Sequence, residues 1–210
     1  EGPHHAQARG QLRVHARCAV HATGAYPVNL MFGNNDRPGV FAARAVGRLL
    51  MQHGILAGER ICVVDGGAHP DTAAYATALC RALAEAGAEA VAIEHAPGRG
   101  AVLQARGRRW VKGLDVRGPD GKVRRVDCDA VAVVAVPAPA SEGARQHGCA
   151  VELAPGRGGF RVIAAADGRT SAAAVVACGD VCGYVGPDEA ARHGGRAGAT
   201  AAAIAAGRSP

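Results

Sequence analysis

The chain has 210 residues, of which 49% are hydrophobic and 20% charged, the proportions of an ordinary globular protein. Its net charge of +6 comes almost entirely from arginines, scattered apart from Arg106, Arg108 and Arg109 and the pair Arg124-Arg125. The aromatic content is only 3% and no aromatic residues are interleaved with the basic ones as in nucleic-acid binding, which argues against that function. No apolar run reaches the roughly 18 residues of a membrane-spanning helix, and residues 1–5 lack a signal-peptide pattern.

Apolar periodicity and turn residues predict alternating strands and helices along the chain. The predicted strands cover residues 12–20, 60–65, 90–94, 110–116, 122–128, 130–136, 160–164 and 172–178, with a further short strand near residue 151. The predicted helices cover residues 41–53, 73–86, 141–147 and about 187–205, and a polar loop covers residues 34–40. Residues 60–94 predict a βαβ unit whose two strands are parallel and whose helix is capped by Asp71 or Thr72.

Two glycine-containing turns follow short apolar strands near opposite ends of the chain. Ala22-Thr23-Gly24 follows residues 18–21, and Gly179-Asp180 follows residues 172–178. A buried strand that ends in aspartate brings a carboxylate to the edge of a sheet, where it can accept hydrogen bonds from the ribityl hydroxyls of a flavin. The N–H groups of the next helix then point at the ligand. The alternatives are a helix-capping role for Asp180 and, at the first turn, a tight connection between domains.

The seven cysteines lie mostly inside the apolar patterns. Their odd number and irregular spacing predict reduced, buried thiols in a cytoplasmic protein. Cys178 and Cys182 are spaced as Cys-x-x-x-Cys without further ligands, which favours packing over a redox pair or a metal site. We predict no metal site and assign no catalytic residue, and for His193 on the last helix we favour a structural role over a catalytic one.

The two turns and the segments around them resemble the two-dinucleotide-binding-domain flavoproteins, also called FAD-dependent pyridine nucleotide-disulfide oxidoreductases. The most specific match is Ala22-Thr23-Gly24-Ala25 followed by Asn35-Asp36-Arg37-Pro38-Gly39-Val40, and residues 179–186 support it. Within that family the sequence is most similar to the alpha subunits of heterotetrameric sarcosine oxidase and of related amine, opine and hydrogen-cyanide-forming dehydrogenases. The family's redox-active Cys-x-x-x-x-Cys pair does not occur, which argues against a disulfide reductase.

The resemblance implies an α/β fold built from two parts. A Rossmann-like parallel-sheet domain, residues 46–165, is inserted into a split dinucleotide-binding domain, residues 12–45 plus 166–206. The strand–GxGxxG–helix that opens the split domain in the family does not occur in this sequence, so we expect the split domain to be incomplete. We expect a partner subunit or a missing N-terminal FAD-binding segment to complete it.

The resemblance also implies cofactors and the residues that bind them. FAD is the expected cofactor, and NAD(P) is a second candidate, bound by the inserted domain. The expected cofactor-binding residues are Ala22, Thr23, Gly24, Gly179, Asp180, Gly186, Gly66, Gly67 and Glu94.

The glycine turn of the inserted domain departs from the family pattern. Gly66-Gly67 is not followed by a third glycine, and Pro70 and Asp71 would bring a rigid ring and a negative charge near a diphosphate, which weakens the case for NAD(P). Glu94 ends the second strand of the βαβ unit, where an acidic residue accepts a hydrogen bond from a ribose 2′-OH. The alternative for Glu94 is a solvated strand end.

The implied function is part of a flavin-dependent oxidoreductase that acts on CH–NH donors. Its substrate would be a small amine or amino acid, as in sarcosine oxidase, and the chain would bind FAD or another dinucleotide and relay electrons. The alternatives are a non-catalytic dinucleotide-binding or assembly subunit, and a truncated remnant with no activity of its own.

Overall fold

The computed structural model describes residues 14–67, 69–96 and 100–208. The strands are β1 Ala19–His21, β2 Ala25–Tyr26, β3 Val40–Ala42, β4 Arg60–Asp65, β5 Glu89–Glu94, β6 Ala101–Gly107, β7 Val111–Arg117, β8 Val123–Val126, β9 Ala130–Val134, β10 Ala138–Pro139, β11 Val151–Ala154, β12 Gly159–Val162 and β13 Val175–Ala177. The α-helices are α1 Ala43–His53, α2 Pro70–Glu85, α3 Glu142–Gln146 and α4 Pro187–Ala205, and short 3-10 helices cover Pro155–Arg157 and Gly179–Cys182.

A four-stranded parallel sheet with the strand order β3-β9-β4-β5 forms the centre of the fold. Successive residues of a strand point to opposite faces of a sheet. Ile61 and Val63 of β4 therefore pack with α1 and α2, whereas Cys62 and Val64 pack with the antiparallel sheet β6-β7-β8 on the other face. The three layers confirm the α/β fold class that the sequence predicts.

Two helices begin at residues other than those predicted. α1 begins at Ala43 rather than at residue 41, because Val40–Ala42 pairs in parallel with β9. α2 begins at Pro70 rather than at residue 73, where a proline is favourable because its missing N–H has no partner inside the helix. Its N-cap is His69, whose Nδ1 accepts a hydrogen bond from the backbone N–H of Asp71 at 3.2 Å, so neither predicted capping residue holds that position. No helix in the described part of the chain is long and apolar enough to cross a membrane.

The strands also differ from the prediction. The predicted hairpin is β7–β8, but β6 joins it as a third strand, and the short β2–β10 pair was not predicted. The strand predicted over residues 130–136 ends at residue 134, and the one predicted over 172–178 covers only 175–177. The strand predicted over residues 12–20 is shorter in the structure: its pairing with another strand begins at Ala19. Residues 12 and 13 lie outside the described part of the chain.

The two ends of the chain meet in a short parallel strand pair. β1 pairs with β13 in the register Ala19–Val175, Val20–Val176 and His21–Ala177. The predicted split domain requires residues 12–45 and 166–206 to lie side by side, and this pairing confirms that they do so at β1 and β13. Parallel sheets are usually covered on both faces, yet Val20 is 48% exposed. Within the described residues β1 has no second strand neighbour.

The division into a split and an inserted domain stays a prediction, with one adjustment. Because β3 lies in the parallel sheet, we propose that the boundary falls before Val40 and not at residue 45, which lies inside α1.

His21, the last residue of β1, contacts His147 just after α3. The Nε2 of His21 and the Nδ1 of His147 lie 2.9 Å apart. Burial, and then the neighbouring His147, hold the pKa of His21 below its usual value of 6.5. The unfolded chain therefore binds this proton at a higher pH than the folded protein does. The stability that this difference contributes is complete above about pH 6.5 and is lost as the pH falls through the lower, folded pKa.

We therefore expect the melting temperature to fall between about pH 7.5 and pH 5.5. His147→Gln removes one of the two causes of the shift, so its melting temperature should fall less steeply over the same range. His15→Gln, at an exposed position outside regular structure, should follow the wild type. Equal slopes for the wild type and His147→Gln in pH-dependent thermal unfolding would contradict this account.

Candidate cofactor site at the edge of the parallel sheet

The β1–β13 pair brings the two predicted turns together. His21 lies opposite Ala177, and the backbone N–H of Cys178 donates to the carbonyl oxygen of His21 at 3.0 Å. Because the two strands are parallel, the segments that follow them leave the strand pair at the same end. Ala22-Thr23-Gly24 and Gly179-Asp180 therefore lie next to each other, although more than 150 residues separate them in the sequence.

The first turn is fixed by the segment after β10. The Oγ1 of Thr23 donates to the carbonyl oxygen of Ala140 at 2.7 Å, and the backbone N–H of Ala140 donates to the carbonyl oxygen of Gly24 at 2.9 Å. Gly24 has a φ of +70°, which favours glycine. These bonds fit a tight connection between domains, the alternative raised for this turn, and they also keep it at the sheet edge.

Asp180 lies in the 3-10 helix that follows β13. Its Oδ1 accepts a hydrogen bond from the backbone N–H of Val185 at 3.3 Å, and its carbonyl oxygen accepts one from Gly183 at 3.0 Å. Its Oδ2 makes no hydrogen bond within the described residues. The carboxylate is thus held in place by one oxygen while the other stays available as an acceptor.

Gly186 is the N-cap residue of α4 and brings this helix against the start of α2. Its φ is +80°, and a Cβ built on it would lie 2.1 Å from Oδ2 of Asp71. No side chain caps α4, so the unpaired N–H groups of its first turn are available to a ligand. Only glycine fits this position without moving Asp71.

A cavity of about 660 Å³ lies among the first turns of α1, α2 and α4 and the C-terminal end of β9. The predicted residues Asp180 and Gly186 line it, whereas Ala22, Thr23, Gly24 and Gly179 do not. Its other lining residues are Pro27, Val28, Ala42, Ala43, Arg44, Asp71, Thr72, Ala74, Tyr75, Val133, Val134, Ala135, Pro137, Tyr184, Pro187 and Ala190.

The titratable groups in the cavity wall are one guanidinium, two carboxylates and two phenols. Burial raises the pKa of Tyr184, with smaller contributions from Asp71 and Asp180, while Arg44 acts in the opposite direction. Burial likewise raises the pKa of Tyr75, whose hydroxyl donates to the carbonyl oxygen of Ala43 at 3.2 Å. Both phenols are therefore neutral hydrogen-bonding groups at neutral pH.

Sequence reasoning did not select Arg44, Tyr75 or Tyr184. Tyr184 lies inside the matched segment 179–186 and could have been found there. Neither Arg44 nor Tyr75 belongs to a sequence motif. Each is a single residue in a helix, and nothing in the surrounding sequence indicates a binding role. Only the packing of α1 and α2 beside β9 shows that they share a wall.

Gly66, Gly67 and Glu94 lie at the C-terminal ends of β4 and β5 in the four-stranded sheet. Gly66 donates its N–H to the carbonyl oxygen of Val134 at 2.9 Å, and Gly67 donates its N–H to Oδ1 of Asp65 at 3.0 Å. Asp65 lies opposite Glu94 in the β4–β5 pair. None of the three predicted residues lines the cavity of about 660 Å³, although Val134, which accepts the hydrogen bond of Gly66, does.

The cysteines form neither a disulfide nor a metal centre in the described structure. All seven are free thiols, and burial raises the pKa of Cys182 to about 11. Within the described ranges no group of three or more His, Cys, Asp or Glu side chains is arranged to hold a metal ion.

No protein-family model and no curated protein matches the sequence. Solved structures do match. The L-proline dehydrogenase of P. horikoshii is 20% identical with a TM-score of 0.62, over 78% of this chain and 30% of that one. The thioredoxin reductase of Lactococcus lactis is 14% identical with a TM-score of 0.65, over 90% of this chain and 66% of that one.

A third similar structure is the flavoprotein disulfide reductase RclA of Escherichia coli, 15% identical with a TM-score of 0.54, over 89% of this chain and 44% of that one. This chain thus spans from about a third to two thirds of the length of these enzymes. Identities this low bear on the fold alone. The chain has a Rossmann-like α/β fold with parallel sheets, which it shares with this dehydrogenase and these reductases.

Proposed function

We propose that the chain is part or a subunit of a flavin-dependent oxidoreductase that binds FAD and oxidises a small amine or amino acid. The observation that carries this proposal is the position of Asp180. Its carboxylate is held by Val185 at the edge of the β1–β13 pair, keeps Oδ2 as an open acceptor and lines a cavity of about 660 Å³ beside the uncapped start of α4.

The residues around the cavity suit a flavin. Oδ2 of Asp180 would accept hydrogen bonds from ribityl hydroxyls, and the N–H groups at the start of α4 would face polar atoms of the ring system. Apolar walls at Val28, Val134 and Pro137 would cover the ring and exclude water. When bound, the flavin would accept a hydride, and the protein would bind and orient it and its substrate.

The charges in the cavity support an amino-acid substrate. Arg44 carries the one guanidinium in the wall and would pair with a substrate carboxylate. Asp71 lies in the same wall and would accept a hydrogen bond from the substrate amine. The resemblance to sarcosine oxidase subunits points to the same substrate class, and the sequence lacks the cysteine pair that a disulfide reductase of the family uses.

A nicotinamide dinucleotide is the second cofactor in this proposal. Gly66, Gly67 and Glu94 would bind NAD(P) at the C-terminal ends of β4 and β5. The open side of β1, with Val20 48% exposed, would be covered by a partner subunit or by an N-terminal FAD-binding segment.

A non-catalytic dinucleotide-binding subunit and an inactive remnant are the rival proposals. The test is a visible spectrum of the protein after incubation with FAD and removal of the free cofactor. Near-stoichiometric flavin absorbance favours the flavin proposal, and a colourless protein favours the rivals.

Asp180→Ala should weaken FAD binding about tenfold or more, because it removes charge-assisted hydrogen bonds. Fluorescence quenching during titration with FAD measures the two affinities. Asp188→Ala is the matched control: Asp188 is exposed in the first turn of α4 and does not line the cavity. Equal affinities of Asp180→Ala and the wild type would remove Asp180 from the site, and an equal loss in Asp188→Ala would indicate a general effect of charge.

A further inference from the structure

A second, smaller cavity of about 160 Å³ lies between β12, β13 and α4. Three cationic or potentially cationic side chains line it: Arg157, Arg161 and His193. Its other walls are small residues of the 164–168 turn together with Ala177 and Cys182. No carboxylate of the described residues lines this cavity, which distinguishes it from the larger one.

Some hydrogen-bond donors of the two arginines have no partner among the described residues. The guanidinium of Arg157 is exposed and makes no hydrogen bond or ion pair with any described residue. Arg161 binds Glu152 through Nη2 and the carbonyl oxygen of Cys182 through Nη1 at 3.2 Å. Its Nε is buried and has no hydrogen-bond partner. Burying a donor without a partner is costly. Since Nη1 and Nη2 of Arg161 already have partners, the free donors beside this cavity are those of Arg157.

The same two side chains lie side by side over Gly183. A Cβ built on Gly183 would lie 3.0 Å from Cδ of Arg161 and 3.2 Å from Nε of Arg157. Both side chains carry a permanent positive charge, and an anion between or beside them would offset the repulsion between these charges. Glu152 offsets only one of the two charges.

The carboxylates beside the cavity are paired with other cations. Asp167, in the 164–168 turn, accepts from Nε of Arg169 at 3.1 Å. Glu189 is shared by three partners: Nε of Arg192 at 2.6 Å, Nη2 of Arg196 at 3.0 Å and Nε2 of His193 at 3.0 Å. The thiol of Cys182 is buried, and its pKa of about 11 keeps it neutral. The cavity thus has excess donors and positive charge.

We propose that this cavity binds a small oxyanion of the phosphate class, either inorganic phosphate or the phosphate group of a monoester, with Arg157, Arg161 and His193 as donors. Guanidinium groups bind phosphate through paired, charge-assisted hydrogen bonds. The 3-10 helix Gly179–Cys182 contributes Cys182 to this cavity and Asp180 to the larger one. The anion site does not depend on whether the larger cavity binds a flavin.

The test is titration of the flavin-free protein with inorganic phosphate at constant ionic strength, monitored by calorimetry and by the NMR signals of the His193 ring. We expect saturable binding with shifts at His193. Arg157→Gln should weaken binding about tenfold, and it should fold normally because Arg157 is exposed. The matched control is Arg81→Gln, which removes an exposed arginine of α2 that pairs with Glu85 at 3.9 Å. It should bind phosphate like the wild type.

A parallel titration with glycerol phosphate, a monoester that shares no adenylate group with FAD or NAD(P), separates the two sources of phosphate. Tighter binding of the monoester than of inorganic phosphate would identify an ester as the ligand, and binding of inorganic phosphate alone would identify the free ion. Absence of saturable binding by either, or unchanged binding in Arg157→Gln, would overturn the proposal. Neither result depends on FAD binding, so a failure of the flavin assignment is recognised separately.

Discussion

Gly186→Ala should destabilise the protein and reduce FAD binding more than tenfold, whereas Gly194→Ala in the same helix should stabilise it. Gly186 has a φ of +80° and a ψ of 166°, a region almost restricted to glycine that costs another residue about 1–3 kcal/mol. Its new Cβ would also lie 2.1 Å from Oδ2 of Asp71, so the start of α2 or α4 would have to move. Both helix ends line the cavity, and the movement would change the site as well as the stability.

Gly194 is the matched control because it lies inside α4 and a Cβ there would meet no atom within 4 Å. Alanine at an open helical position is about 1 kcal/mol more favourable than glycine. Thermal unfolding and FAD titration of both variants give the comparison. Combining Gly186→Ala with Asp71→Gly should recover the part of the loss that comes from the contact, but not the part that comes from φ. A Gly186→Ala protein with unchanged melting temperature would show that this contact does not constrain the site.

Leu83→Ala should lower the free energy of unfolding by about 2–5 kcal/mol. Leu83 is fully buried between α2 and the parallel sheet. Five of the eleven buried residues in its cluster are alanines, whose short side chains cannot move in to fill the space that leucine leaves. We therefore expect a loss in the upper half of that range.

Leu153→Ala is the control for Leu83→Ala, since Leu153 is 60% exposed and its loss should change stability by less than about 0.5 kcal/mol. Urea denaturation of both variants measures the difference from the midpoints, provided that the slopes stay equal. A loss below about 1 kcal/mol in Leu83→Ala would show that the alanine-rich core does relax around the cavity.

The elements that the sequence predicted well are those whose pattern is local. The βαβ unit at residues 60–94 is predicted from a run of apolar residues, a glycine turn and a helical apolar periodicity. The structure contains this unit as β4, α2 and β5. The helix α2 begins at Pro70, three residues earlier than predicted, because the prediction took Asp71 or Thr72 as its N-cap. Proline is itself favourable in the first turn of a helix and indicates a helix start.

Other elements could not be predicted because their pattern is broken or depends on a distant partner. β6 carries register shifts between Val102 and Gln104 and between Arg106 and Gly107, and such irregularities interrupt the alternation of buried and exposed residues. β3 has three residues and reads as the start of a helix until its pairing with β9 is known. β2 and β10 have two residues each, too few for any periodicity.

The same distinction holds for the candidate site. The sequence by itself determined that Ala22-Thr23-Gly24 and Gly179-Asp180 are turns after apolar strands, because glycine and a strand end are local features. Only the tertiary structure decided that Asp180 and Gly186 share a cavity with Arg44 and Tyr75, while Gly66, Gly67 and Glu94 do not line it. A cavity wall is made where separate elements pack together, and that arrangement depends on long-range contacts that no short stretch of sequence encodes.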